Sequence, residues 1–200
     1  MYRLIYFQWA GRAGAIRDAL HIGEVPFEDV RLSYESFREQ RDQGLIPYDA
    51  LPALVLPSGV VVGQSNTILR WAGDQAGLCP QDAEARLLME ATLDMIEDYA
   101  TRLSVSIRED DAEVRAHLRR RLNERSFPQV YRHLSRHLEG AGRAWLMGDQ
   151  VTIVDLKAYH FVEKLTNGTL DGISADALTG YPELSAWFER ISELRHTYHL

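Results

Sequence analysis

A chain of 200 residues with 46% hydrophobic content is long enough to bury a sizeable core, as one domain or two small ones, and its composition does not suggest disorder. A formal charge of −7 and a pI near 5.5 argue against nucleic acid or another polyphosphate as partner, because such binding rests on Lys and Arg displacing counterions. No stretch approaches the roughly 20 apolar residues of a membrane span; the opening MYRLIYFQWAGRAG lacks a secretory h-region and cleavage site, and the lone Cys79 allows no internal disulfide, so a cytoplasmic protein with no membrane partner is expected.

From the N-terminus, short β-rich runs alternate with helical patterns. YRLIYF reads as a strand, residues 11 to 21 as a helix, VPFEDVRL as a second strand, and the polar stretch through Gln43 as a second helix. ALVL and VVVG read as strands joined through Pro57-Ser58-Gly59, and a helix follows from Ser65. The order is βαβαββα. The first two strands, with a helix between them, are expected to be parallel and the last two to form an antiparallel hairpin, which is the thioredoxin-like order.

The composition shifts once, at GLCPQDAE, so an α/β domain is expected over 1–76, a linker over 77–84 and an all-helical domain over 85–200. Leu93, Ile96, Ala100, Leu103 and Ile107 recur at three and four residues, giving one apolar stripe. Further helices are expected over 112–123 and, as a separate element opening near Pro128, over 128–138. Thr152 followed three residues later by Asp155 is a capping-box start for VTIVDLKAYHFVEKL, and a last helix fits Pro182 to Arg195.

A thioredoxin-like half followed by an all-helical half, with these motifs in order, resembles the cytosolic glutathione transferases. YRLIYFQWAGRAGAIR resembles the opening of the sigma class, the group that includes the glutathione-dependent prostaglandin D synthases. LPALVL resembles the strand that follows the family's cis-proline, and GQSNTILRWAG resembles its Gln-Ser pair opening the third helix. LDMIEDYA lies where the family carries aspartates, and VTIVDLKAY resembles its buried capping box. The resemblance spans essentially the whole chain. It implies a homodimeric detoxification enzyme with glutathione as co-substrate and no metal.

Tyr6 is the first candidate for the chemistry. A free thiol has a pKa of about 8.5, so only a few per cent is thiolate at neutral pH, and a phenol donating a hydrogen bond to sulfur raises that fraction. Taken alone, a tyrosine at a strand end reads as an aromatic that packs. Residues 1 to 20 contain no Ser, Thr or Cys, however, so a chain of this family can only be of the tyrosine type; Tyr2 lies at the wrong end of the strand. Arg12 opens the first helix, where it is placed to orient or neutralise negative charge. Ala10 and Gly14 replace the arginine and glutamate that the family tends to carry around it.

The remaining glutathione contacts come from the resemblance. Phe7 follows the catalytic tyrosine. A cis Leu51-Pro52 bond turns the Leu51 backbone toward the cysteinyl unit, and Gln64 and Ser65 hold the γ-glutamyl carboxylate. Ser65 is the natural N-cap of its helix. Asp94, Glu97 and Asp98 form one acidic face; Asp98 is placed to pair with Arg102 four residues on and, as the resemblance implies, to reach the glutathione ammonium in a neighbouring subunit, and the two roles are not exclusive. The glycyl carboxylate contacts are altered: Phe37, Arg38, Arg41 and Gln43 are the available replacements, and Ala50 stands where Lys or Gln often precedes Leu-Pro.

Trp9, Tyr99, Leu103 and Tyr198 are candidates for the pocket of the second, apolar substrate, although Tyr99 and Leu103 at helical spacing also read as core. His133 and His137 have the spacing of two metal ligands but lack a third. Arg119-Arg120-Arg121 reads as a solvated stretch. The expected function is addition of the glutathione sulfur to a small apolar electrophile. The alternatives are glutathione-dependent isomerisation or dehalogenation, and a non-catalytic binding or structural protein on the same fold.

Overall fold

The computed structural model describes residues 1–139, 143–174 and 176–200. The chain divides into two compact units, Met1–Pro80 with Tyr198–Leu200, and Gln81–Thr197.

The first unit is built on a four-stranded sheet in the order β2-β1-β3-β4: β1 Tyr2–Phe7, β2 Phe27–Leu32, β3 Ala53–Val55 and β4 Val61–Val62. β1 is parallel to β2 and antiparallel to β3, which pairs antiparallel with β4. This is the thioredoxin-like arrangement. A short 3-10 turn, Gly11–Ala13, leads into α1 (Gly14–Ile22), which packs on α3 (Ser65–Ala76). The whole run from Ala13 to Leu20 in and before α1 is buried. α2 (Tyr34–Asp42) starts at Ser33, whose hydroxyl accepts the Ser36 N–H at 3.0 Å. Ile5, Leu32 and Ala53 form a core against which Phe37 of α2, Val30, Leu51 and Val55 pack. α3 ends at Gly77, whose φ of +69° suits a residue without Cβ.

The second unit is helical: α4 Ala83–Ile107, α5 Ala112–Arg121, α6 Phe127–Leu138, α7 Ile153–Thr166 and α8 Pro182–Thr197. The expected break between α5 and α6 is corrected. Leu122–Ser126 forms a π-helical turn that carries one helical run into the other, with the Phe127 N–H donating to the Leu122 carbonyl. Pro128 sits in the first turn of α6, and the wider turn before it absorbs the i−4 bond that a proline cannot make.

The capping box is present and does more than cap. The Asp155 carboxylate, completely buried, accepts from the Thr152 N–H (2.9 Å), the Thr152 hydroxyl (3.1 Å), the Leu146 N–H (2.8 Å) and Nε1 of the completely buried Trp187 (2.9 Å). Burial pushes its pKa up and the four donors pull against it. The solvated reading of Arg119 is overturned. Its side chain is buried and donates to the Asp171 carbonyl at 2.7 Å and to the Asp171 carboxylate, which that contact holds below its usual range. Asp171 lies 52 residues away, so no local pattern announces the contact. Among the described residues no helix is long and apolar enough to cross a membrane.

Candidate active site at the end of the sheet

Strand register gathers the N-terminal candidates. Ile5 pairs with Ala53, so the residues just before β3, Leu51 and Pro52, lie beside Tyr6; Leu54 pairs with Val62, so the chain after β4, Gln64 and Ser65, runs to the same end. Tyr6 itself pairs with Arg31, and α2 begins two residues after Leu32. The Leu51-Pro52 bond is cis, as the resemblance implied. Tyr2, at the opposite end of β1, packs on Trp71 with ring centroids 4.6 Å apart and lines a separate apolar cleft of about 530 Å³ with Leu54, Val62 and Ile68.

The Tyr6 side chain is buried, only 6% exposed, and its hydroxyl accepts the backbone N–H of Arg12 at 3.1 Å. Among the described residues nothing accepts the phenolic proton. With one lone pair engaged by the main chain, the hydroxyl keeps its O–H free to donate to a ligand. The close approach requires a glycine: Gly11 has φ +45°, and a Cβ there would lie 2.4 Å from the Tyr6 oxygen. Gly11→Ala is therefore expected to cost about 1–3 kcal/mol through the strained φ alone, and to displace the hydroxyl. Thermal unfolding and turnover of the variant check both effects.

Behind Tyr6 stands a residue that sequence reasoning missed. Arg17, 8% exposed, meets both oxygens of Asp29 through Nε (3.0 and 3.1 Å), donates to the carbonyls of Phe7 (3.0 Å) and Trp9 (3.1 Å), and lies 5.8 Å from the Tyr6 ring centroid. The available signal was a charged residue on the otherwise apolar face of α1, matched to an Asp in the adjacent strand. Phe7 and Trp9 stack (4.6 Å, 13°), and Phe7 also stacks on Tyr34 of α2 (5.3 Å, 14°), forming a three-ring ladder with Phe37 edge-on to Phe7 (5.4 Å). Trp9, expected at the second substrate, is thus tied into the β1–α2 side, with 53% of its surface exposed.

The expected N-cap role of Ser65 is corrected. Gln64 occupies the cap position at φ +73° and its side chain makes no cap bond, so Ser65 is the first residue inside the helix. A non-glycine residue in left-handed backbone is costly and clusters at functional sites. The turn leaves the N-terminal amides of α3 at the same sheet end as Tyr6, a setting that suits a carboxylate.

On α2, the Arg41 guanidinium is engaged by Asp42 (2.8 and 3.0 Å) and lies 5.8 Å from the Phe37 ring, while exposed Arg38 lies over Tyr34 at 5.7 Å. Gln43 caps the end of α2 and is exposed.

In the second unit, no Asp98–Arg102 ion pair is found among the described residues. The Arg102 guanidinium sits 4.9 Å from the Tyr99 ring centroid instead, because a cation over an aromatic face needs no exposed carboxylate to hold it. Asp98 is exposed and has no ion-pair partner among the described residues. Neighbouring Glu97 pairs with Lys157 at 2.5 Å. Tyr99 and Leu103 are buried within α4's apolar stripe, and Tyr198 is 43% exposed and groups with the first unit. No cluster of three or more His, Cys, Asp or Glu side chains of metal-binding geometry occurs among the described residues.

Residues 97–196 match the family model for the glutathione S-transferase C-terminal domain. Hematopoietic prostaglandin D synthase of Gallus gallus is 28% identical over 193 residues, covering 96% of this chain and 91% of that protein. Glutathione S-transferase 3 of Caenorhabditis elegans is 25% identical over 206 residues, covering 97% and 98%. Among solved structures, prostaglandin synthase D of Nilaparvata lugens superimposes with a TM-score of 0.85 at 26% identity, covering 97% of this chain and 93% of that one.

Proposed function

The chain belongs to the glutathione S-transferase family, and on that premise we propose that Tyr6 turns the thiol of bound glutathione into a thiolate for attack on a small apolar electrophile. The observation that carries the reading is the Tyr6 hydroxyl itself: buried, fixed by the Arg12 N–H, and with its proton uncommitted. A hydrogen bond donated to sulfur stabilises the anion, so the thiol proton is released to solvent near neutral pH. With an aryl chloride, the sulfur lone pair forms the S–C bond and chloride departs with the electrons of the C–Cl bond. Holding the two substrates together supplies much of the remaining acceleration.

The other contacts follow the same sheet end. Arg12 orients charge near the sulfur, the Leu51 backbone meets the cysteinyl unit, and the α3 amides with Gln64 and Ser65 receive the γ-glutamyl carboxylate. Phe7 walls the tripeptide. Arg38, whose guanidinium no carboxylate engages among the described residues, is freer than Arg41 to take the glycyl carboxylate, with Gln43 nearby in sequence. Exposed, unpaired Asp98 supports a homodimer in which it meets the ammonium of glutathione held by a second copy. Exposed Trp9 and Tyr198, both of the first unit, are the candidates to contact the electrophile, whereas Tyr99 and Leu103 are taken up in the apolar stripe of α4.

A second reading, isomerisation by the same thiolate with glutathione regenerated, draws support from the relatives named prostaglandin D synthases. One experiment separates them. The protein is expected to be retained on immobilised glutathione and to consume the free tripeptide with a chloronitroaromatic substrate. Turnover of a substrate without glutathione loss selects isomerisation, and retention without any turnover reduces the protein to a binder.

A further inference from the structure

We propose that Asp29, acting through Arg17 and Arg31, is a positioning residue that holds the loop after β1 in the shape that leaves the Tyr6 hydroxyl ready to donate. Three successive carbonyls of that loop are received by arginines: Phe7 and Trp9 by Arg17 (3.0 and 3.1 Å), and Gln8 by Arg31 (3.4 Å). Both arginines are anchored on one carboxylate, since Asp29 accepts Arg17 Nε at 3.0 and 3.1 Å and Arg31 Nε at 2.8 Å. The loop so held runs directly into Gly11, where a Cβ would collide with the Tyr6 oxygen, and into the Arg12 N–H, which donates to it. Arg17 is nine-tenths buried while Arg31 is half-exposed, so the clamp has a rigid inner arm and a softer outer one. Planar guanidinium forks suit this task because each satisfies a carboxylate and a carbonyl at once.

The inference rests on the thiolate reading above, yet it makes a prediction of opposite sign to simple electrostatics. Removing the negative charge of Asp29 favours a nearby thiolate through space and lowers the thiol pKa. Releasing the loop unseats the hydroxyl and raises it. Asp29→Asn and Arg17→Lys are expected to raise the apparent pKa of the bound thiol by about one and to lower kcat about tenfold, with KM for glutathione within about twofold. Arg31→Gln, on the exposed arm and safe for folding, shifts both in the same direction by less.

Amide exchange at Arg12 is the second readout, independent of turnover, and is expected to quicken in all three variants. A thiol pKa that falls or stays put, together with unchanged Arg12 exchange, overturns the clamp. If Tyr6→Phe leaves the thiol pKa unaltered while Arg12 exchange still rises in the clamp variants, the thiolate reading fails and the clamp stands. Should Asp29→Asn not fold, Arg17→Lys and Arg31→Gln decide the matter by the same two measurements.

Discussion

Tyr6→Phe is expected to lower kcat/KM for conjugation of a chloronitroaromatic by about 10- to 100-fold, the worth of one hydrogen bond to a charged group at about 1.5–3 kcal/mol. The fold should survive, because the ring remains and among the described residues the hydroxyl's one hydrogen bond is that accepted from the Arg12 N–H. The loss should shrink as the pH rises, since above the free-thiol range the thiolate forms unaided. Affinity for glutathione should change little. On the proposed reading the tripeptide is held largely by other groups, and the missing bond matters only to the charge on sulfur. Steady-state kinetics at neutral and alkaline pH read all of this, and an equal loss at every pH would contradict the assigned role.

Asp155→Ala carries the largest expected effect on stability, a loss of about 3–5 kcal/mol. Four donors converge on this carboxylate from the chain before α7, from α7's own start and from α8, and the substitution leaves the Leu146 and Thr152 amides and the Trp187 indole buried without an acceptor. Completely buried Trp187 cannot turn to water for a replacement. Asp155→Asn keeps the volume and one acceptor oxygen but points donors at donors, so it should fall between the two. Chemical denaturation compares the three proteins. The prediction fails if alanine is tolerated within about 1 kcal/mol, the range of ordinary surface changes.

The sheet is legible in local sequence patterns. The parallel β1–β2 pair followed from the helix between them, and the β3–β4 hairpin followed from Pro57-Ser58-Gly59. The Thr152–Asp155 box was legible because it couples residue types to an element boundary, whereas the cis Leu51-Pro52 bond came only with the family resemblance. What stayed hidden depends on distance along the chain or on backbone shape. Asp29 reaches Arg17 only because β2 lies parallel beside β1, and Arg119 meets Asp171 across 52 residues of chain. The left-handed turn at Gln64 has no marker in residue type, since glutamine is not a residue that favours it; hence Ser65 looked like the cap. The π-turn at Leu122–Ser126 was masked by Pro128, which reads locally as a fresh helix start. The Asp98–Arg102 pair met the usual i, i+4 rule, and the Tyr99 ring won the cation instead.

The ultraviolet difference spectrum of the protein with and without glutathione, taken across neutral pH in the wild-type chain and in Tyr6→Phe, tests the central claim most directly. The account predicts mercaptide absorption at neutral pH in the wild type that moves to distinctly higher pH in the phenylalanine variant. Absorption with the same pH dependence in both, or none in either while glutathione is demonstrably bound, would contradict it.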